Sequence, residues 1–396
     1  MLRFLTAGES HGPSLTVIVE GLPAGLAISE AWIGDELARR RLGYGRGPRM
    51  RFERDELRLI GGIRHGRTLG SPIAIEILNS EWPKWEQEMS AAPGTPSNKL
   101  TKPRPGHADL AGMQKYAFDD ARDVLERASA RETAARVAAG ALAKALLGAI
   151  DVRIVSHVVR IGQVAAPEGV RPGPNDHDAV DGSEVRCFDP DAAAAMILEI
   201  KAAAKEGDSL GGIVEVIAYD VPVGLGSYVH WDRKLDGLIA GALMSIQAVK
   251  AVEIGDGMIQ ASQRGSVAHD AIAVDAAFTK GGGFVRRTDH AGGLEGGMTS
   301  GAPVIAKVAM KPLATLNRPV LETVDVATGE SAVSFKERTD VTAVPALGVV
   351  TEAMLSLVLA NEALRKFGGD SVEEFVRNHS SYVANLGSTS SRAIPE

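Results

Sequence analysis

Apolar and polar residues alternate through LTVIVE (15–20), between the glycine turn GESHG and the turn Pro23-Ala24-Gly25. A period of two predicts a half-buried strand there. Strands are also predicted at 56–61 and at 72–78, the latter entered by Gly70-Ser71-Pro72 and carrying IAIEI. Later ones fall at 151–163, in IVEVIAYD before Pro222, and in VIAKV after Gly301-Ala302-Pro303. Helices fit 29–42, with Ser29 as cap, 190–206, and roughly 233–250. Two other helices differ in kind. From Ala134 to Leu147 only Arg136 and Lys144 are charged, and 351–366 reads as a second buried helix. A helix apolar nearly all round is a buried one. Ser129 and Glu132 form an S-x-x-E capping box before the first. Residues 82–106, rich in Pro, Gly and Ser, read as a long loop, and 164–190 as a polar excursion. Residues 380–396 read as a polar, mobile end.

The chain repeats itself. Laid without gaps on 207–224, the segment 8–25 keeps Gly8, Ser10, Gly12, Pro23 and Gly25 as Gly207, Ser209, Gly211, Pro222 and Gly224. Glu9 falls opposite Asp208. Each copy continues with a helix, a Gly-small-Pro strand entry, an alternating strand and a buried helix. The inference is two related β-α-β-β-α halves, about 1–150 and 205–370, in a single domain over 1–385, with 386–396 as a mobile tail.

Composition narrows the function classes. Of 396 residues, 45% are apolar and 23% charged, which is ordinary for a globular chain with an ample core. A net charge of −7 without a basic tail argues against a nucleic-acid partner. The single Cys187 excludes an internal disulfide and a cysteine-based metal site, and fits a cytoplasmic location. MLRFLTAGESHG carries no signal-peptide core, and no run approaches the ~20 apolar residues of a membrane span, so no membrane partner is expected.

A basic pocket inside an acidic protein points to a small anion. Arg40, Arg46, Arg49, Arg104, Arg127, Arg131 and Arg338 fall in or beside loops rich in glycine and proline. Arginine holds carboxylate and phosphate through two parallel bonds. Several of these residues cluster at the start of the apolar helix after Ser129, where unpaired N–H groups favour an anion. His11, in GESHG, and His107, in Arg104-Pro105-Gly106-His107-Ala108-Asp109, titrate near neutral pH and suit acid–base work. The plainer reading pairs the arginines of this stretch, Arg104, Arg122, Arg127 and Arg131, with Asp119, Asp120, Asp123 and Glu126 on a solvated face, and makes each histidine structural. GYGRGPRM is not followed by an apolar helix, so it is no dinucleotide fingerprint. Without H-E-x-x-H, a Walker loop or a cysteine cluster, metal catalysis and ATP hydrolysis are disfavoured. On the residues alone, an enzyme acting on a polyanion and a binding module for an anionic metabolite both stand.

Seven motifs together carry a resemblance. GESHGPSL, RRRLGYGRGPRM, RPGHADLAGMQKY, ERASARETAARVAAG, QAVKAVEIGDG, HAGGLEGGMTSG and ERTDVTAVPALGVVTEAM resemble those of the chorismate synthase family, in its order, from residue 1 to about 385. The resemblance implies an α+β fold, a β-α-β sandwich around buried central helices, assembled as a homotetramer. It implies the 1,4-anti elimination of phosphate from 5-enolpyruvylshikimate 3-phosphate to give chorismate, in the shikimate pathway. It implies reduced FMN (FMNH2) as cofactor, with NADPH at most a source of reducing equivalents. In that family's terms His107 protonates the leaving phosphate, His11 protonates the reduced flavin near N1, and Asp340 is the base acting through flavin N5. Ser10, Arg40, Arg46, Arg49, Arg104 and Arg131 match substrate-holding positions. Arg127, Ala128, Ser129, Gln247, Ala248, Gly296, Lys311, Pro312, Leu313, Ala314, Thr315 and Arg338 match flavin-holding ones. Where the family often has R-S-S and K-P-I-S-T, this chain has Ala128 and Ala314, so each loses a hydroxyl and keeps its backbone groups. Other readings consistent with a flavin are an NAD(P)H oxidoreductase and an FMN-storage protein.

Overall fold

A computed structural model describes residues 1–46, 55–318, 320–334 and 340–386. Arg49, Arg338 and the tail beyond 386 lie outside the described residues. Strands β1 (Arg3–Ala7), β2 (Ser14–Glu20), β3 (Leu57–Gly61) and β4 (Ile73–Leu78) form an antiparallel sheet in the order β1-β2-β4-β3. Strands β5 (Arg153–Ile161), β6 (Val164–Ala165), β7 (Gly212–Tyr219), β8 (Val249–Ile254) and β9 (Val304–Met310) form another, in the order β8-β9-β7-β5-β6. The helices used below are α1 (Glu30–Arg41), α2 (Asp109–Tyr116), α3 (Arg122–Ala128), α4 (Thr133–Gly148), α5 (Pro190–Glu206), α6 (Leu235–Met244), α7 (Val344–Phe367) and α8 (Val372–Ala384).

The period-two pattern sets the inner faces. Leu15, Val17 and Val19 on β2, and Ile73, Ile75 and Ile77 on β4, point into the core. Val214, Val216 and Ala218 on β7, and Val304, Ala306 and Val308 on β9, join the same core from the second sheet. Helix α4 packs on β2, α7 packs on β5 and β7, and the two helices pack on each other. At Gly140 they pack tightly, since a Cβ there would lie 2.3 Å from the Ala353 Cβ. A side chain at 140 would therefore push the central helices apart.

Several boundaries differ from expectation. Helix α7 begins at Val344, not 351, and α6 ends at Met244 because the chain from Val249 becomes β8. By length and mean hydropathy (1.6) α7 could cross a membrane, against the expectation that no run approaches that length. Of its most apolar window, 89% is buried inside the protein. Helix α8 occupies part of the stretch expected to be mobile: Ser371 caps it by accepting from Glu374 N, and Phe375 packs against Phe367. The capping box is half-formed. Ser129 accepts from Arg131 N, but the Glu132 carboxylate is taken by Thr6, Arg136 and Gln247.

The repeated segments have matching pairings. Val19 pairs with Ile73 and Leu15 with Ile77; at the corresponding places Ala218 pairs with Val304 and Val214 with Val308. At the strand ends Thr68 Oγ1 donates to Pro23 O at 2.6 Å and accepts from Leu26 N. Thr299 Oγ1 likewise donates to Pro222 O at 2.6 Å and accepts from Leu225 N. The glycine turns that precede β2 and β7 do not match. In the first, Gly12 N donates to Glu9 O; in the second, Leu210 N donates to Val341 O and Gly211 O accepts from Gly162 N.

Candidate active site

Helices α4 and α7 both begin at one cleft of about 760 Å3. Ser129, Ala130, Arg131 and Thr133 line it from the start of α4, and Ala343, Ala346, Leu347 and Val350 from the first turns of α7. Two helix N-termini there favour an anion. Of the residues singled out by sequence, Ser10, His11, Arg40, Arg46, Arg104, His107, Ala128, Ser129, Arg131, Gln247, Ala248, Lys311 to Thr315 and Asp340 all line this cleft. Arg127 and Gly296 do not. The Arg127 guanidinium is committed elsewhere, donating to the carbonyls of Thr6 and Gly8 and to the Thr6 hydroxyl. Gly296 sits on the hairpin Leu294–Thr299, beside Tyr228.

His107 is held through Nδ1. Asp109, fully buried at the start of α2, hydrogen-bonds that nitrogen through Oδ1. The same carboxylate accepts from Arg104 Nε at 2.8 Å, Nη2 at 3.2 Å and backbone N at 3.1 Å. Arg104 Nη1 also reaches Thr315 Oγ1 at 3.1 Å. Burial pushes the Asp109 carboxyl up, but the bonds from His107 and Arg104 outweigh it and hold it well below the usual carboxylate range. An ionised carboxylate only accepts, so Nδ1 carries a hydrogen and Nε2 is the nitrogen that gains or loses a proton.

His11 is built on the same plan. Its Nδ1 lies 2.9 and 3.0 Å from the two oxygens of Glu126, and its backbone N–H donates to Glu126 Oε2 at 2.9 Å. The ring stacks on Trp85 with centroids 4.1 Å apart, and the Arg122 guanidinium covers that indole. Burial raises the Glu126 pKa, but the His11 bonds and the Arg122 charge leave it lowered.

The arginines are oriented from behind. Asp55, almost wholly buried, pairs with Arg131 and lies 3.9 Å from Arg40 and 3.8 Å from Arg41. Arg131 Nε also donates to Asn79 Oδ1 at 3.1 Å. Arg46 Nε lies 3.0 Å from Asp340, and the loop that carries it is tied down by Val341 N donating to Gly45 O. Lys311 Nζ donates to the Gly106 carbonyl. The solvated-face alternative fails for Arg104 and Arg131, which pair with Asp109 and Asp55, while Arg122 does pair with Glu126.

Sequence reasoning did not assign Asp55, Asp109, Glu126 or Trp85. The H-x-D spacing in RPGHAD could have found Asp109. Asp55 and Trp85 come from distant segments and carry no local signal.

Residues 2–364 of the chain are matched by the family model described as chorismate synthase. The chain belongs to the chorismate synthase family. A chorismate synthase of Salinispora tropica is 59% identical over 395 residues, covering 98% of this chain and 99% of its own. One from Frankia casuarinae is 60% identical over 396 residues, with the same coverage. A solved structure described as the crystal structure of chorismate synthase superposes with a TM-score of 0.78 at 41% identity, covering 98% of both chains. The α+β fold is thus that of a chorismate synthase. The activity is the family's as well: loss of phosphate from 5-enolpyruvylshikimate 3-phosphate to form chorismate, a carbon–oxygen lyase reaction of aromatic amino-acid biosynthesis.

Proposed function

We propose that the cleft binds 5-enolpyruvylshikimate 3-phosphate together with reduced FMN, and that His107 donates the proton to the departing phosphate. The observation that carries this reading is the placement of His107, with a carboxylate on Nδ1, among Arg40, Arg46, Arg104, Arg131 and Lys311. The substrate has two carboxylates and one phosphate, which suits a wall so rich in fork-shaped cations. The cation-lined wall binds and orients it.

In the 1,4-anti elimination the C6–H electron pair becomes a ring double bond, the existing double bond shifts, and the C3–O bond breaks with its electrons on oxygen. His107 Nε2 gives its proton to that phosphate oxygen. Asp340, held by Arg46, takes up the proton lost from C6. Reduced FMN, when bound, supplies electron density that eases the departure of phosphate without net redox change. The site fits such a group. Gln247 Oε1 is buried at the cleft without a hydrogen-bond partner among the described residues, and suits a flavin N–H. Ala248 adopts a left-handed φ of 65°, a strained conformation of the kind kept at ligand sites. Ala128, Ser129 and Lys311 to Thr315 offer backbone groups beside it, so the two missing hydroxyls cost side-chain contacts alone. The cleft volume is near the upper end of the ~300–1,000 Å3 usual for ligand sites, which leaves room for two molecules. His11 holds a proton for the flavin. In this reading Arg49 is a substrate-binding and Arg338 a flavin-binding residue. Gly296 and Arg127 have no place in it on one chain.

The wider reading is a cytoplasmic homotetramer with neither membrane nor nucleic-acid partner. Its protomer is a β-α-β sandwich of two related halves, which the matched strand registers support. NADPH serves only as a remote source of reducing equivalents. The test is phosphate release from 5-enolpyruvylshikimate 3-phosphate under anaerobic conditions with FMN reduced beforehand. Release that requires reduced FMN but consumes no stoichiometric reductant is expected. Stoichiometric consumption would point to an oxidoreductase, and release without flavin would overturn the cofactor.

A further inference from the structure

We propose that Asp109 is a positioning residue for the phosphate-leaving step, fixing the His107 tautomer and the Arg104 fork with one carboxylate. The proposal rests on the reading of His107 as the proton donor. Asp109 is fully buried and does not line the cleft. Its four donors are His107 Nδ1 and three nitrogens of Arg104. Both partners do line the cleft. The proton donor and a phosphate-binding cation are therefore registered to each other by a single buried anchor.

The chemistry explains why an anion is needed at that place. Arg104 Nη2 lies 3.1 Å from His107 Nδ1 and 3.4 Å from Nε2, so a permanent cation sits against the ring. Lys311 adds positive charge through its bond to the Gly106 carbonyl. The other charged groups on the cleft are Arg40, Arg46, Arg131, His11, Glu81 and Asp340. Among the described residues Asp109 is the one carboxylate hydrogen-bonded to the His107 ring. It offsets the cation and confines the ring hydrogen to Nδ1. When the C3–O bond breaks, the Nε2 proton passes to the phosphate oxygen. His107 goes from imidazolium to the neutral Nδ1–H form, and the charge of Asp109 is unchanged. In an Asp109→Asn variant the amide offers the ring a donor as readily as an acceptor, and the counter-charge is gone.

The experiment uses the full chain with reduced FMN and compares Asp109→Asn, Asp109→Glu and His107→Ala. Turnover and KM are read across pH, and 15N spectra of the histidine rings are read in parallel. Asp109→Asn is expected to bind FMN as the parent does and to lose about 10²–10⁴-fold in kcat, the range for a general acid. In the parent the neutral His107 ring should carry its proton on Nδ1; in Asp109→Asn it should not. Asp109→Glu should recover part of the rate. A parent ring protonated on Nε2 when neutral would overturn the proposal, even if neither variant folds. So would an Asp109→Asn enzyme within about threefold of parental kcat beside a slow His107→Ala. A fast His107→Ala would instead remove the proton-donor reading itself.

Discussion

Two groups of buried charge meet the same helix, α7, and they are built on opposite terms. Around Glu352, three cations (Arg39, Lys144 and Arg186) face three carboxylates (Glu36, Glu352 and Asp181). Glu352 is fully buried and also accepts from the backbone and hydroxyl of Ser156. Burial pushes its carboxyl up, but Arg39, Lys144 and Arg186 outweigh that and keep it well below the usual range. Burial pushes the Arg186 guanidinium down to about 10. At the start of the same helix, the cleft is lined by Arg40, Arg46, Arg104, Arg131 and Lys311 against Glu81 and Asp340. The hub is a balanced set that ties α1, α4, α7 and the 181–186 segment together. The cleft wall is an unbalanced set whose anions, Asp55 and Asp109, stand behind the arginines. Matched charge marks structure here, and excess charge of one sign marks the ligand site.

Removing one member from each set should separate the two roles. His107→Ala is expected to lower the rate of phosphate release about 10²–10⁴-fold while FMN still binds. Steady-state turnover per folded molecule reads it, and parental turnover would contradict the assignment. Glu352→Gln is expected to do the reverse. Three buried cations lose their shared anion, which costs about 3–5 kcal/mol when a buried pair is broken. The denaturant midpoint should drop accordingly while turnover per folded molecule holds. A stable Glu352→Gln with low activity would mean that the hub acts on the cleft.

The acid side of the stability profile sharpens the same contrast. Glu352, Glu36, Glu126, Glu132 and Asp109 all have depressed pKa values, each against a burial effect that raises it. A depressed carboxylate stabilises the fold fully above its unfolded value, about 4, and the gain is lost as pH falls through the folded value. Stability should therefore hold above about pH 5 and decline below about pH 4, by up to about 1.4 kcal/mol per pH unit for each proton taken up. Glu352→Gln should flatten that decline in urea titrations run at several pH values. An unchanged slope would mean that Glu352 is not among the groups that take up the proton.

Much of this was legible in the sequence, and the misses have physical causes. The strands at 14–20, 57–61 and 73–78 followed the period-two pattern because one face lies on the core, whereas 212–219 and 304–310 are buried on both faces, with Ile217 and Ile305 packed beside Val155 and Val180. Helix α4 followed from its near lack of charge, and Lys144, which breaks that pattern, serves the hub. The arginine set was visible as composition in loops, whereas its orienting anions were not. Asp55 and Arg131 are far apart in the chain, and no local pattern joins them. Arg127 has the type and the neighbourhood of a ligand residue, yet its donors are consumed by backbone carbonyls, which sequence cannot display. Gly296 followed from the family motif alone, and on a single chain its hairpin stays away from the cleft.

The smallest expected effect concerns His11, and it comes from the repeat. The register of β2 and β4 matches that of β7 and β9, so Leu210 occupies the sequence position in the second half that His11 holds in the first. One inference would be that the turn shape needs no histidine. The hydrogen bonds do not allow it: the first turn closes through Gly12 N and Glu9 O, while the second hangs on Val341 and Gly162. Leu210 is therefore no control for His11. In His11→Leu, Glu126 would keep the backbone N–H at position 11 and Arg122 Nη1, and lose the ring nitrogen. Losing one of several donors to a buried carboxylate should cost about 1–2 kcal/mol. If that bond is the cause, Glu126→Gln should cost less in the His11→Leu background than alone, because the partner charge matters less once the ring is gone. A double-mutant cycle of melting free energies reads this directly. Additive costs would show that His11 and Glu126 are not coupled in the folded chain, and the turn would then owe its shape to Gly12 and the Trp85 stack.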